Sequence, residues 1–237
     1  MEWMVVLGLD AAWTPHHATG CAVISGTPGN WTCQAAWSTA PIQAAEILAS
    51  SQPDVVSVDM PLARSPITKR RACDNALSRA FGACGCSVHS PSPERPGRVS
   101  TELMRTLSES GYELAVCGTA LRGRQVIEVY PHIAVMRLVN ESYRVKYKVG
   151  RIRQYWPDDP PSVRIRKLRA ELRRILTALK DRIAGIPFDL PPETAGPRQL
   201  KVFEDTLDGV ICAWIGALYL EGKCRPYGDE GAAIWVP

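Results

Sequence analysis

The sequence lacks an apolar run long enough to span a membrane, a structure that takes about 20 residues. It also lacks the features of a signal peptide. Glu2 stands where a basic segment is expected, and the first apolar run, residues 4–9, ends at Asp10. From these two absences we predict a cytoplasmic protein with no membrane partner.

No internal repeat and no low-complexity tract interrupts the 237 residues, a length that suits one full-sized domain. Hydrophobic residues make up 46% of the chain and charged residues 22%, which is typical of a globular protein. We therefore predict a single domain over residues 1–237, with excursions from its core at about residues 62–125 and 140–196.

The eight cysteines lack the spacing of a structural zinc site. A single residue separates Cys84 from Cys86, whereas zinc knuckles use a longer spacing. A zinc site shared with Cys73 and His89 is the alternative to the prediction, which is free thiols in a reducing compartment.

The net charge of +4 is too small to indicate nucleic acid by itself. Basic residues are concentrated in residues 164–182, opposite an apolar stripe with helical spacing. Both a nucleic-acid surface and the solvated side of an amphipathic helix account for this segment.

The order of the predicted elements indicates the fold class. Strands are predicted at residues 4–9, 20–24 and 31–37, with a hairpin turn over residues 26–30, followed by a helix at 42–49 and a strand at 55–59. Helices are predicted at about 67–81 and 100–110, a strand at 126–130, and then two helices that complete the chain. A meander, a crossover helix and a parallel strand are the order of a ribonuclease H-like core. We therefore predict an α/β fold, a ribonuclease H-like mixed sheet flanked by helices, with a helical insertion.

Two aspartates lie one helical turn apart near the C-terminus, within a helix that is otherwise bulky and apolar. Positions three apart share a helix face, so Asp205 and Asp208 are expected to reach a common ion. Solvated surface carboxylates are the alternative. Two carboxylates on one face repel each other, and a divalent cation is the group that most readily offsets this repulsion.

Two further aspartates each end a predicted strand. Asp10 and Asp59 follow apolar runs, and ligands of open α/β sheets gather beyond the carboxyl ends of the strands. The alternative for Asp59 is a cap before Pro61. Together with the helical pair, Asp10 and Asp59 predict a metal site, and carboxylate ligands suit Mg²⁺ or Mn²⁺.

Seven short motifs occur in order along nearly the whole chain. They are Gly8-Leu9-Asp10 with Trp13, Ser57-Val58-Asp59-Met60-Pro61-Leu62, Arg71-Ala72-Cys73-Asp74, Ser87-Val88-His89-Ser90-Pro91, Glu128-Val129-Tyr130-Pro131-His132, Asp205-Thr206-Leu207-Asp208 and residues 231–237. This ordered set resembles the domain of unknown function 429 family of predicted ribonuclease H-like nucleases. The resemblance implies that Asp10, Asp59, Asp205 and Asp208 match the acidic positions of the RuvC-type branch.

These four acids suit a two-metal hydrolysis of phosphodiesters. Two ions about 4 Å apart activate a water molecule and stabilise the leaving oxygen. We expect Asp10 to bridge the ions, Asp59 to share one, and Asp205 with Asp208 to hold the other.

Two residues of the motif that begins at Glu128 are further candidates for catalytic residues. Glu128 is predicted to extend the acidic site, and a salt bridge to a nearby arginine is the equal alternative. His132 is either a proton shuttle or a structural histidine.

Four residues are predicted to contact nucleic acid. Lys148 and Arg151 lie with Tyr147 in a basic stretch, residues 144–153, with aromatic residues interleaved, a composition that suits phosphate contact and base stacking. A solvated basic surface is the alternative. Arg71 is the fourth, although a local ion pair with Asp74 is also expected for its segment.

The predicted function is a metal-dependent nuclease with a two-metal mechanism, acting on nucleic acid of unspecified type, and a homodimer is possible. A phosphotransferase or ATPase of a related fold is one alternative. Such enzymes need a glycine-rich loop to hold phosphate, whereas this chain has Asp10-Ala11-Ala12-Trp13 after its first predicted strand. A non-catalytic nucleic-acid-binding module is the other, and its expected signature is a broken acidic set.

Overall fold

One mixed β-sheet of nine strands lies at the centre of the computed structural model, among the residues it describes, which are 2–14, 17–40 and 44–237. The strands are β1 (Met4–Asp10), β2 (Thr19–Thr27), β3 (Asn30–Thr39), β4 (Val55–Val58), β5 (Glu113–Leu114), β6 (Gln125–Val129), β7 (Ile183–Ala184), β8 (Arg225–Gly228) and β9 (Ala233–Val236). Their order across the sheet is β7-β3-β2-β1-β4-β6-β9-β8, and β5 also pairs with β6.

Helices cover both faces of this sheet. They are α1 (Ala44–Ser51), α2 (Ala72–Phe81), α3 (Gly97–Glu109), α4 (Pro131–Leu138), α5 (Ile152–Tyr155), α6 (Pro161–Lys180) and α7 (Pro197–Leu220). Successive side chains of a strand point to opposite faces, so Val6 packs in the apolar layer with α4, α6 and α7, and Leu7 in the layer with α1 and α3. Burial on both faces explains the unbroken apolar run of β1.

The strand order confirms the predicted ribonuclease H-like fold class. Strands β1, β2 and β3 form an antiparallel meander, and α1 then returns the chain to β4, which pairs in parallel with β1. Strand β6 adds in parallel to β4. Gly29 at φ +80° provides the left-handed conformation that the turn between β2 and β3 requires.

Several predicted boundaries were wrong. The helix expected at residues 67–81 begins at Ala72, and the start of the predicted 42–49 helix lies outside the described residues. The chain does not finish with two helices. Pro131 occupies the first turn of α4, where its fixed φ favours a helix start, and the β8–β9 pair closes the sheet after α7. The division into one domain with two excursions stays a prediction.

Helix α7 lies against β1 and β2 at unusually short range, because glycines face each other across the contact. A Cβ atom at Gly20 would overlap the carbonyl oxygen of Asp205, and one at Gly8 would overlap the backbone at Ala213. From the helix side, a Cβ at Gly209 would lie 2.7 Å from the backbone nitrogen of Cys21. This close approach fixes the distance between α7 and the sheet near the ends of β1 and β2. No helix among the described residues is long and apolar enough to cross a membrane.

Candidate functional site

Acidic side chains from three separate elements line one cleft of about 850 Å³ at the carboxyl ends of the central strands. Asp10 is the last residue of β1, Asp59 follows β4, and Asp205 lies on α7. The backbone N–H of Asp59 donates to the carbonyl of Leu9 at 2.8 Å, so the parallel pairing continues to the strand ends. The structure therefore brings together three of the four predicted ligands at the surface of one cleft.

Asp10 and Asp59 are half-buried and carry no compensating partner. Within residues 2–14, 17–40 and 44–237, neither carboxylate accepts a hydrogen bond or forms an ion pair. Burial, together with the Asp208 and Asp205 carboxylates, raises the pKa of Asp10 to about 7, although Lys148 opposes the shift. Burial, followed by the neighbouring Asp10 carboxylate, raises the pKa of Asp59 well above its ordinary value. Both groups therefore hold unbalanced negative charge whenever they are ionised.

Asp208 occupies a different environment from the one expected. Its side chain is completely buried and does not line the cleft. The Tyr147 hydroxyl donates to one carboxylate oxygen at 2.8 Å, and the Lys148 ammonium group donates to the other at 2.5 Å. Both oxygens are thus occupied by side chains of the protein, and Asp208 does not share an open coordination position with Asp205.

Two residues of α7 that the sequence analysis did not select complete the acidic cluster. Glu204 lines the cleft, accepts the backbone N–H of Val149 at 2.5 Å, and lies 3.1 Å from the Lys201 ammonium group. Lys201 also pairs with Asp205. The signal was available in the helical period, because Glu204 precedes Asp208 by four residues and Lys201 precedes Asp205 by four.

Glu128 forms an internal ion pair, which was the alternative to its catalytic role. Arg71 donates to both Glu128 oxygens, at 2.6 and 2.7 Å, and the N–H of Leu62 donates to Oε2 at 2.7 Å. The remaining donors of Arg71 contact Asp74 and the carbonyl of Leu62. All five N–H groups of Arg71 therefore have partners within the described chain, and none is left for a phosphate.

The other predicted nucleic-acid contacts fall into two groups. Tyr147 is fully buried against Asp208, so its ring is not available to stack on a base. Lys148 lines the cleft, but its ammonium group is paired with Asp208. Burial lowers the pKa of Lys148, but the Asp208 and Asp10 carboxylates outweigh burial and raise this pKa well above the ordinary value. Arg151 lines the cleft and contacts His89 at 3.3 Å. Of the four predicted residues, Arg151 is the one placed to meet a ligand phosphate.

His132 lies at the wall of the same cleft, between the rings of Tyr130 and Tyr147. Burial, with Lys148 and Arg144, holds its pKa well below the ordinary value. The ring is therefore neutral near pH 7 and is not a reservoir of protons there.

The sequence profile of the family described as "Protein of unknown function (DUF429)" matches residues 8–232. The chain belongs to this family. The predicted resemblance is thereby confirmed. No curated protein matches the sequence. Among solved structures, the chain is similar to T. thermophilus RuvC in complex with Holliday junction substrate, at 12% identity, over 97% of this chain and 99% of that chain, with a TM-score of 0.39. The strand order of the sheet defines the fold class.

The donor chemistry of this DUF429 protein suits a hard divalent cation, although lysines hold part of the site. No group of three His, Cys, Asp or Glu side chains in the described ranges has an arrangement that could hold a metal ion as it stands, and this applies also to Cys73, Cys84, Cys86 and His89. In the acidic cluster, the Lys148 and Lys201 ammonium groups lie against the α7 carboxylates. Asp10 and Asp59 offer oxygen ligands that no lysine occupies, which is the chemistry that Mg²⁺ and Mn²⁺ prefer.

Proposed function

We propose that this protein is a metal-dependent nuclease that hydrolyses phosphodiester bonds of nucleic acid. The observation that carries the proposal is the imbalance of charge within the acidic cluster at the strand ends and on α7. Five carboxylates from β1, the end of β4 and α7 converge in this cluster, four of them lining the cleft and Asp208 buried beneath it, and their ion-pair partners among the described residues are two lysines. The carboxylates are Asp10, Asp59, Glu204, Asp205 and Asp208. Such a cluster is strained until further positive charge enters.

In this proposal, Asp10, Asp59, Asp205 and Glu204 hold Mg²⁺ or Mn²⁺. The bound ions supply a nucleophilic water at neutral pH and stabilise the leaving oxygen. Asp10 and Asp59 provide ligands without displacing a protein group. Lys201, whose side chain is half exposed, would have to leave Asp205 and Glu204 before these two carboxylates could bind a cation, while the Val149 N–H would keep Glu204 in position. Asp208 then orients Lys148 rather than serving as an open ligand.

The arginines on the cleft wall support nucleic acid as the partner, and a cytoplasmic location and a homodimer stay predictions. A phosphotransferase or ATPase is less well supported, because residues 10–13 provide no glycine-rich loop after β1.

The test is cleavage of labelled single-stranded, duplex, hybrid and junction substrates with Mg²⁺ or Mn²⁺ and with EDTA. We expect metal-dependent cleavage by the wild type and a loss of at least about 100-fold in Asp10→Asn, since a metal ligand is lost. Asp189→Asn is the matched control, because Asp189 forms a surface pair with Lys180. Cleavage that is indifferent to Asp10→Asn would refute the proposal, and ATP binding without cleavage would favour the phosphotransferase.

A further inference from the structure

Two half-buried arginines on the cleft wall have no acidic partner within the described residues. Arg144 and Arg151 both line the cleft and are half-buried, and neither forms a salt bridge in residues 2–14, 17–40 or 44–237. Arg71 in the same cleft uses all its donors on carboxylates and one carbonyl. Guanidinium groups that are partly removed from water without a counter-ion favour the approach of an anion. We call Arg144 and Arg151 the arginine wall.

The side-chain contacts of the arginine wall are with histidine rings. The Arg144 guanidinium lies 2.5 Å from Nε2 of His132, and that of Arg151 lies 3.3 Å from Nε2 of His89. A guanidinium only donates, so Nε2 of His132 is the acceptor and the proton of the neutral ring is on Nδ1. His132 therefore adds a donor to the wall and no negative charge.

Two buried nitrogen atoms at the arginine wall are without hydrogen-bond partners in the described part of the chain. They are Nε of Arg144 and Nδ1 of His132. His132 is 7% exposed, which makes an unpartnered ring nitrogen costly. Because buried donors are normally satisfied, these two N–H groups favour an acceptor beside the arginine wall.

We infer that Arg144, Arg151 and His132 form a phosphate subsite that binds a phosphate of the nucleic-acid strand beside the one that is cleaved. The inference rests on the proposed function for the identity of the anion. The acidic cluster repels a phosphate unless cations are present, whereas the arginine wall attracts it without them. The subsite therefore makes the substrate a strand with at least two phosphates, and a mononucleotide lacks one of the two contacts.

The experiment measures binding of a fluorescein-labelled single-stranded oligonucleotide by anisotropy in EDTA, so that cleavage plays no part. Arg151→Gln and Arg144→Gln are compared with Arg174→Gln, which removes the same charge from a surface pair with Glu141 outside the cleft. We expect each wall variant to bind about tenfold more weakly and to lower the slope of log K against log salt by about 1. Arg174→Gln is expected to bind within about twofold of the wild type.

Arg144 also contacts the carbonyl of Gly85, so its variant is at greater risk of a local folding change. Arg151→Gln is therefore the variant that decides the test, and circular dichroism of both variants checks that they are folded. Wild-type affinity and salt slope in Arg151→Gln would overturn the subsite, even if metal-dependent cleavage is observed. Weakened binding by both variants would support it even if no cleavage is found, which separates its outcome from that of the nuclease.

Discussion

The ammonium group of Lys148 lies 2.5 Å from the carboxylate of Asp208 and joins the segment after α4 to the middle of α7. The residues on either side of Lys148 make parallel connections. The Tyr147 hydroxyl donates to Asp208, and the N–H of Val149 donates to Glu204. Three consecutive residues thus clamp one face of α7, and this clamp sets the position of the carboxylates in the cleft.

Replacing Lys148 tests the energetic weight of the clamp. Lys148→Met leaves the buried Asp208 without a counter-ion, and we expect a loss of about 3 kcal/mol in the free energy of unfolding at pH 8. Asp208→Asn should cost less in a Lys148→Met background than alone, because the two changes act on one contact. Urea unfolding of the two single variants and the double variant measures the coupling. Strictly additive costs would show that the ion pair does not stabilise the fold.

The raised pKa of Asp10 predicts a specific dependence of stability on pH. The folded state keeps the Asp10 proton up to about pH 7, whereas the ordinary pKa is 3.8. Between these values the folded state binds more protons, so the free energy of unfolding falls as the pH rises from about 4 to 7. Asp10→Asn removes this titration and should be more stable than the wild type at pH 8, by on the order of 1–3 kcal/mol, and similar to it at pH 4.

Thermal unfolding in EDTA at several pH values checks this expectation. Asp189→Asn serves as the control, since its carboxylate is exposed. If the wild type and Asp10→Asn lose stability equally between pH 4 and 8, the acidic cluster does not hold the strain that we assign to it.

Glu128 provides a test between a structural and a catalytic carboxylate. Glu128→Gln removes one of the two negative charges around Arg71, and we expect a loss of about 2–4 kcal/mol in the free energy of unfolding. Arg71→Lys should be similarly costly, because an ammonium group cannot reproduce the planar five-donor contact. A Glu128→Gln protein that keeps wild-type stability and loses cleavage would assign the carboxylate to catalysis instead.

The contact between α7 and the sheet predicts a strong effect of one methyl group. Gly209→Ala should cost about 1–3 kcal/mol, because its Cβ meets the backbone of β2, despite the better helix propensity of alanine. Gly196→Ala, where a Cβ meets nothing within 4 Å, is the matched control. Urea unfolding compares the two variants. Equal stability of the two variants would show that α7 adjusts its distance from the sheet freely.

The sequence was most informative where one local pattern decides the structure. The apolar runs of β1 and β4 predicted their strands, and their last residues predicted that Asp10 and Asp59 lie together. The helical period placed Asp205 and Asp208 on one face but did not distinguish the depth of the two side chains. Depth depends on Tyr147 and Lys148, which are about 60 residues away in the chain. Such pairings between distant segments leave no period in the sequence.

A similar limit applies to Arg71 and Glu128. Their partnership joins the start of α2 to the end of β6, and it appears in the sequence as two isolated charges. The α4 helix was missed for a different reason. Proline at its first turn was interpreted as the end of the preceding strand, although the same residue also favours the start of a helix.

The clamp at residues 147–149 has a consequence for how this protein can diverge. It fixes the middle of the connection between α4 and α6 to α7, while Arg144 and Arg151 lie just outside the clamped residues on either side. If the arginine wall binds phosphate as we infer, replacements at these two flanking positions change which ligands are retained and leave the carboxylates on α7 in place. Under the proposed function, ligand selectivity and hydrolysis then depend on separate parts of the chain, and new substrate preferences can arise without rebuilding the sheet.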